Sequence, residues 1–313
     1  MNTRDLYQKY LNENKEEKQF YTAYYPWPFL PKRGELKTYF ENVESFSFNG
    51  IKNNISFMDE IDFNNNLKRE KKCLILNRRL APHRIILLSL LQSDKLLDNI
   101  ECSFDLSLAH TDDLGLDLAN GYTYDSEPYI KDSNIQSQII NGFFKLKKIK
   151  KKTVDYDNVG RVWGFGFEHK EPYLKTYFSV ITETIFYEHG HYISEKTFKG
   201  FQHLHPFVVV GKPGILKYLQ SKGFKTFSEF WDETYDTIQD NSDRMIKVYE
   251  LIKSLIFKSD DEWIELNKKL LPILKHNRKH LLSFDEEFVN STYINNLNNL
   301  LQHEPNQENY FLF

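Results

Sequence analysis

TYFSVITETIFYEHGHYISEKTFKGFQHLHPFVVVGKPGILKYL, residues 176–219, alternates between two periodicities. TYFSVITETIF (176–186) is rich in β-branched and aromatic residues and reads as a strand. SEKTFKGFQHLH (194–205) reads as a short helix, FVVVG (207–211) as a strand and GILKYLQSKG (214–223) as another helix. FKTF (224–227) reads as one more brief strand. Strands and helices in strict alternation predict a parallel sheet with crossover helices.

The same rhythm begins upstream. KCLIL (72–76) is a short apolar run, NRRLAP (77–82) a polar turn, and HRIILLSLLQSD (83–94) has helical apolar spacing. NIECSFDLSL (99–108) reads as the next strand. The predicted fold class is therefore α/β, with a Rossmann-like parallel sheet over 71–240. Residues 1–70 are polar and aromatic without this rhythm. YTAYYPWPFLPKRG (21–34) reads as an extended aromatic strap, and 51–66 as one strand and a loop. Residues 241–313 read as a helical region, with helices over 242–256 and 261–283, the second kinked or divided at Pro272. DDLGLDLANGYTYDSEPYIKDSN (112–134) reads as irregular, and KLKKIKKK (145–152) as a solvated surface face or loop.

The chain has 313 residues, of which 40% are hydrophobic and 15% aromatic, enough for a sizeable core. A net charge of −3 gives no field that would steer the whole molecule to nucleic acid or an anionic membrane. Nucleic acid is therefore not the favoured partner, although a local basic patch leaves it open. Both cysteines, Cys73 and Cys102, fall in strand-like runs and read as buried thiols of a reducing compartment. The N-terminus lacks an apolar signal core, and no run is long enough to span a membrane. A cytoplasmic location is expected.

Open α/β sheets bind ligands outside the carboxyl ends of their strands. Two stretches are expected at that edge: Asn77-Arg78-Arg79-Leu80-Ala81-Pro82-His83-Arg84, and the run from Glu183 through His189, His191 and Tyr192 to Ser194-Glu195-Lys196. Each leads into a helix N-terminus, where free N–H groups and the positive end of the helix dipole favour anions. Arg84 and Lys196 add cationic phosphate contacts. Ser194 reads as a helix N-cap, and Glu195 either supports the cap or bonds a ribose diol. There is no GxxxxGK[ST] and no GxGxxG. The pairs His189-x-His191 and His203-x-His205 lack a completing ligand of suitable spacing, so no metal site is expected.

Thr182-Glu183-Thr184, Tyr192-Ile193-Ser194-Glu195-Lys196 and Pro206-Phe207-Val208-Val209-Val210-Gly211 together resemble the donor-binding signature of the fucosyltransferase family. Thr182-Glu183-Thr184 stands where that family carries Phe-Glu-Asn. Asn77 and Arg84 match its earlier Asn-containing turn and helical Arg. The stretch 72–240 is also similar to glycosyltransferase-like proteins of phages and bacteria. The resemblance covers roughly half the chain. It implies a two-lobed GT-B-like enzyme, with a reduced N-terminal region on the acceptor side. It assigns the diphosphate to Arg84, Glu195 and Lys196.

The expected function is that of a glycosyltransferase moving a sugar from a nucleotide-diphosphate sugar to a glycan or other hydroxyl acceptor. The reaction is expected to be inverting and metal-independent, with no cofactor beyond the donor and a GDP-sugar slightly favoured. Arg84, Lys196 and Glu183 are the expected catalytic residues. Asn77, Arg78, Arg84, His191, Tyr192, Ser194, Glu195 and Lys196 are expected to hold the donor. Candidates for the general base are Glu41, Glu44, Asp59, Glu60, Asp112 and Asp113. The alternatives are transfer to modified DNA bases, with the Lys145–Lys152 run as a phosphate patch, and a non-catalytic nucleotide- or glycan-binding module.

Overall fold

A computed structural model of the chain describes residues 44–46, 67–77, 81–106, 130–154, 170–184, 186, 191–193 and 195–283. Its centre is a five-stranded sheet. The strands are β2 (Lys71–Asn77), β3 (Ile100–Asp105), β4 (Lys151–Lys152), β5 (Thr176–Thr182) and β7 (Phe207–Val210), in the spatial order β4-β3-β2-β5-β7. All neighbouring pairs are parallel except β3–β4. A separate parallel pair joins β1 (Glu44–Phe46) to β6 (His191–Ile193), with Glu44 opposite His191 and Ser45 opposite Tyr192.

The helices are α1 (Pro82–Ser93), α2 (Ser133–Ile149), α3 (Glu171–Leu174), α4 (Glu195–Gln202), α5 (Ile215–Ser221), α6 (Asn241–Ile256) and α7 (Asp260–Ser283). From β2 the chain steps to β3 on one side, whereas β5 and β7 lie on the other. Strand order therefore reverses between β2 and β5. Crossovers in parallel sheets are right-handed, so steps in opposite directions place α1 and α4 on opposite faces. Helix α6 packs against α1, and α7 against α4. Every residue of β5 is consequently buried, as expected for a central parallel strand.

Local chemistry explains the elements. Pro82 opens α1 at a position where a missing N–H costs nothing. From His83 to Leu91 this helix is buried all round. Asp132 caps α2 by accepting the amides of Asn134 and Ile135 at 2.8 and 3.1 Å. Gly142 lets α2 lie directly on α1, because a Cβ there would sit 1.8 Å from the Ser89 carbonyl oxygen. Trp263 of α7 stacks on Tyr177 and Phe178 of β5 and donates its indole N–H to Leu255 at 3.0 Å. Ion pair Lys253–Asp94 ties α6 to the end of α1, and Lys72–Asp260 ties α7 to β2. Buried apolar residues from Cys73 to Leu281 form a single core, so α6 and α7 share the core of the sheet.

Two expectations need correcting, and one helix is new. The 133–149 stretch is a helix, with Ile139, Gly142, Phe143 and Leu146 buried on one side. The lysine run takes the expected form of a surface face rather than a loop: it forms the last turn of α2 and the edge strand β4, with Lys148, Lys150 and Lys151 exposed. FKTF (224–227) is not a strand, because no edge of the sheet pairs with it. Helix α7 is not divided at Pro272. Pro272 and Lys268, whose carbonyl loses its helical partner, are both exposed, and water can satisfy that group. Both cysteines are buried free thiols. No helix among the described residues is long and apolar enough to cross a membrane. The strap at 21–34, the segment at 51–66 and the chain beyond 283 lie outside the described residues.

Candidate functional site

The reversal of strand order places the carboxyl ends of β2 and β5 side by side, the position where doubly wound sheets open a crevice. Asn77 ends β2 and Thr182 ends β5, both buried, and the Thr182 hydroxyl donates to Asn77 Oδ1. The Asn77 amide Nδ2 is buried without a hydrogen-bond partner among the described residues. Such a donor is costly unless something accepts from it.

Glu183 follows β5 directly and is fully buried. Three elements meet on it. Its main-chain N–H donates to Val210 at 2.9 Å, which holds it to β7. Its main-chain carbonyl accepts from His83 Nε2 at 2.9 Å and from Arg84 Nη2 at 3.3 Å, both in the first turn of α1. Its carboxylate Oε1 accepts the hydroxyl of Thr197, in the first turn of α4, at 2.6 Å. Arg84 Nη2 also reaches the Thr182 carbonyl at 3.2 Å. The starts of α1 and α4 are thereby drawn to one point.

Cationic side chains surround this point, which also holds the Glu183 carboxylate. A carbonyl can only accept, so His83 carries its proton on Nε2. Burial first, then the charge of Arg84, with Lys196 and Arg244 adding, pushes His83 down to about 3. The imidazole is therefore neutral, and it stacks on Phe186 with ring centroids 5.4 Å apart. Phe186 is covered on its own part by the Arg244 guanidinium, 4.3 Å from the ring centre. Arg244, on α6, is 1% exposed. It donates to the carbonyls of Phe186 (2.8 Å), Gly211 (3.2 Å), Ile238 (2.9 Å) and Gln239 (3.1 Å). One side chain thus fixes the loop after β5 and the loop after β7.

The third helix start at this edge is already filled. Asp236 accepts the amides of Leu216 and Lys217 at 3.0 and 3.2 Å, capping α5 with the chain's own carboxylate. Helix α1 has no side-chain cap and no acidic residue in its first turn.

Of the residues expected from sequence, Asn77, Arg84, Glu183 and Lys196 fall at this edge, with Lys196 half-buried in the first turn of α4. His191 and Tyr192 lie on β6, and Glu195 is the first residue of α4. Arg78 and Ser194 lie outside the described residues, as do Glu41, Asp59, Glu60, Asp112 and Asp113. Glu44 lies on β1, in register with His191. The expected roles of Arg84 and Glu183 take a more internal form: Arg84 bonds main-chain carbonyls, and Glu183 is a buried hub. His203 and His205 belong to the core. His205 donates from Nε2 to the Thr176 carbonyl at 2.8 Å and accepts the Ser179 hydroxyl on Nδ1 at 2.7 Å, while His203 stacks on Tyr173 at 4.1 Å.

Sequence reasoning missed His83, Thr197, Arg244 and Asp236. An Arg near the start of an amphipathic helix such as 242–256 carries no local signal. Asp236 directly follows Glu233-Thr234-Tyr235 and reads as an ordinary turn acid. The sequence also holds one Asp-x-Asp spacing, Asp155-Tyr156-Asp157, which the metal-independent expectation passed over; it lies outside the described residues. No cluster of His, Cys, Asp or Glu able to hold a metal occurs among the described residues. No family model, curated protein or solved structure matches the chain, so its chemistry has to be read from its own residues.

Proposed function

We propose that the chain is a glycosyltransferase that binds a nucleotide-diphosphate sugar at the carboxyl ends of β2 and β5. The supporting observation is the convergence of the first turns of α1 and α4 on Glu183, bringing Arg84 and Lys196 to one edge of the sheet. Two helix N-termini and two cations favour a bound diphosphate. The unpartnered Asn77 amide adds a donor for a phosphate or sugar oxygen.

In the proposed reaction an acceptor hydroxyl attacks the anomeric carbon. The carbon–oxygen bond to the diphosphate breaks, and its electron pair leaves on the phosphate oxygen. Arg84 and Lys196 stabilise that developing charge, with Arg84 acting largely through its field, since its guanidinium is engaged by carbonyls. Glu183 ties the two helix starts together. The acceptor proton passes to a carboxylate. Glu44, brought beside His191 by the β1–β6 pair, is the one sequence candidate on a described strand. A GT-B arrangement, with the N-terminal region on the acceptor side, fits this placement.

A specific observation also favours a polyanionic acceptor. Strand β4 pairs with Phe104 and Asp105, the carboxyl end of β3, so Lys148, Lys150 and Lys151 are exposed on the same edge as the candidate site. If the acceptor is a nucleic acid, its binding weakens steeply with salt.

The test is a melting panel with GDP, UDP, CDP, ADP and their sugar conjugates. A ligand at about 100 times its dissociation constant adds about 2.7 kcal/mol of stability. One base should stand out, and its sugar conjugate should be consumed when acceptors are supplied. A panel in which no nucleotide moves the melting temperature would sink this reading.

A further inference from the structure

Lys212 lies on the loop after β7, next to Gly211. A Cβ on Gly211 would stand 3.6 Å from the Cβ of Glu183, so this loop passes directly beside the hub on which α1 and α4 converge. The loop is held at both ends. Arg244 Nε takes the Gly211 carbonyl at 3.2 Å. Gly214, whose φ of 81° suits glycine, donates its N–H to the Asp236 carbonyl at 2.7 Å.

The ammonium of Lys212 has no hydrogen-bond or ion-pair partner among the described residues, although it is half-buried. The carboxylate of Asp236 is committed to the amides of Leu216 and Lys217. Its charged neighbour is instead Arg244, which repels it. Burial and that repulsion lower the lysine's affinity for its proton. A half-desolvated ammonium beside a guanidinium is unfavourable unless an anion arrives.

We propose that Lys212 is a binding residue of the candidate site and contacts a phosphoryl oxygen of the bound nucleoside diphosphate. The inference rests on the nucleotide-sugar reading and extends it to a third strand end. Lys212 and Arg84 then approach the diphosphate from the β7 and β2 sides, with Lys196 above β5. The Arg244 clamp serves to hold the Lys212 loop in place while its own guanidinium stays on carbonyls.

The experiment is calorimetric titration of the full chain with GDP, UDP, CDP and ADP, each beside its nucleoside. Wild type is compared with Lys212→Met, Lys212→Arg and, as a control, Lys217→Met, an exposed lysine on α5. Lys212→Met should weaken the binding diphosphate by about tenfold or more. It should leave nucleoside binding unchanged and should not lower the melting temperature. Lys212→Arg should retain most of the affinity, and Lys217→Met all of it. Diphosphate affinity within about twofold of wild type in Lys212→Met overturns the assignment while leaving the nucleotide reading intact. Equal weakening of nucleoside and diphosphate overturns it too, because the loop would then be only structural. A wild type that binds none of the four diphosphates overturns the nucleotide reading, and Lys212 with it.

Discussion

Arg84 meets Glu183 at the main-chain carbonyl, 3.3 Å away, while the Glu183 carboxylate takes the Thr197 hydroxyl at 2.6 Å. The two ends of one buried residue therefore fasten two different helices. Replacing Arg84 with Met removes its donor from the Thr182 carbonyl and leaves the Glu183 carbonyl with His83. Loss of a donor to a buried carbonyl costs about 1–3 kcal/mol. Arg84→Met should therefore melt several degrees below wild type and also lose nucleotide response. A variant with wild-type melting and wild-type nucleotide response would remove Arg84 from both roles.

Lys196 differs in position, half-buried in the first turn of α4. Lys196→Ala should change stability by no more than about 0.5 kcal/mol. It should still reduce turnover or affinity for the nucleotide by about tenfold. Chemical denaturation alongside a nucleotide titration separates the two effects.

Acid should unfold this protein early. His83, His203 and His205 are each lowered to about 3 by burial, with nearby positive charge adding. Their folded affinity for protons is below the unfolded one, so their contribution to stability is complete above pH ~6.5 and is lost as pH falls towards 3. Each histidine should cost about 2 kcal/mol at pH 5. His203→Phe preserves the ring stack on Tyr173 and removes two buried nitrogens that lack hydrogen-bond partners. It should flatten the acid limb of a stability–pH curve measured by denaturant titration. An unchanged limb would show that His203 is not buried as described.

Gly142→Ala tests the α1–α2 contact. The new methyl group would overlap the Ser89 carbonyl oxygen, which is backbone inside a helix and cannot rotate away. The helices must separate, at a cost of about 1–3 kcal/mol or more. Soluble, wild-type-like melting of this variant would mean that α2 does not dock on α1 in this way.

Much of this architecture is legible in the sequence, because the central strands and crossover helices carry their own periodicity. The FVVV strand is a continuous apolar run, and the Ile85–Leu91 helix one broken only by Ser89, each bounded by turn residues. Asn77, Arg84, Glu183 and Lys196 could be placed at one edge from chain order alone, because an alternating parallel sheet has only one carboxyl side. Helix α2 escaped notice although Ile139, Gly142, Phe143 and Leu146 have helical spacing; the lysines that follow them drew the reading towards solvent. What sequence order does not reveal is which polar side chain will turn inward. Arg244 reads like any surface arginine until α6 is laid over the loops it clamps. Asp236 reads like a turn acid until α5 begins beside it.

The pairing of β2 with β5 has a consequence for how the chain comes to be folded. Asn77 and Thr182, which meet at the end of this pair, are 105 positions apart. A nascent chain carrying β2, α1 and β3 has only half of its central strand covered until β5 leaves the ribosome. At about 5–20 residues per second, that interval lasts on the order of ten seconds. During it, Cys73, Leu74 and Ile75 present an open edge, and non-local pairing of this kind is slow to close. Chaperone dependence should therefore be concentrated in that window of synthesis, before β5 arrives and the edge is sealed.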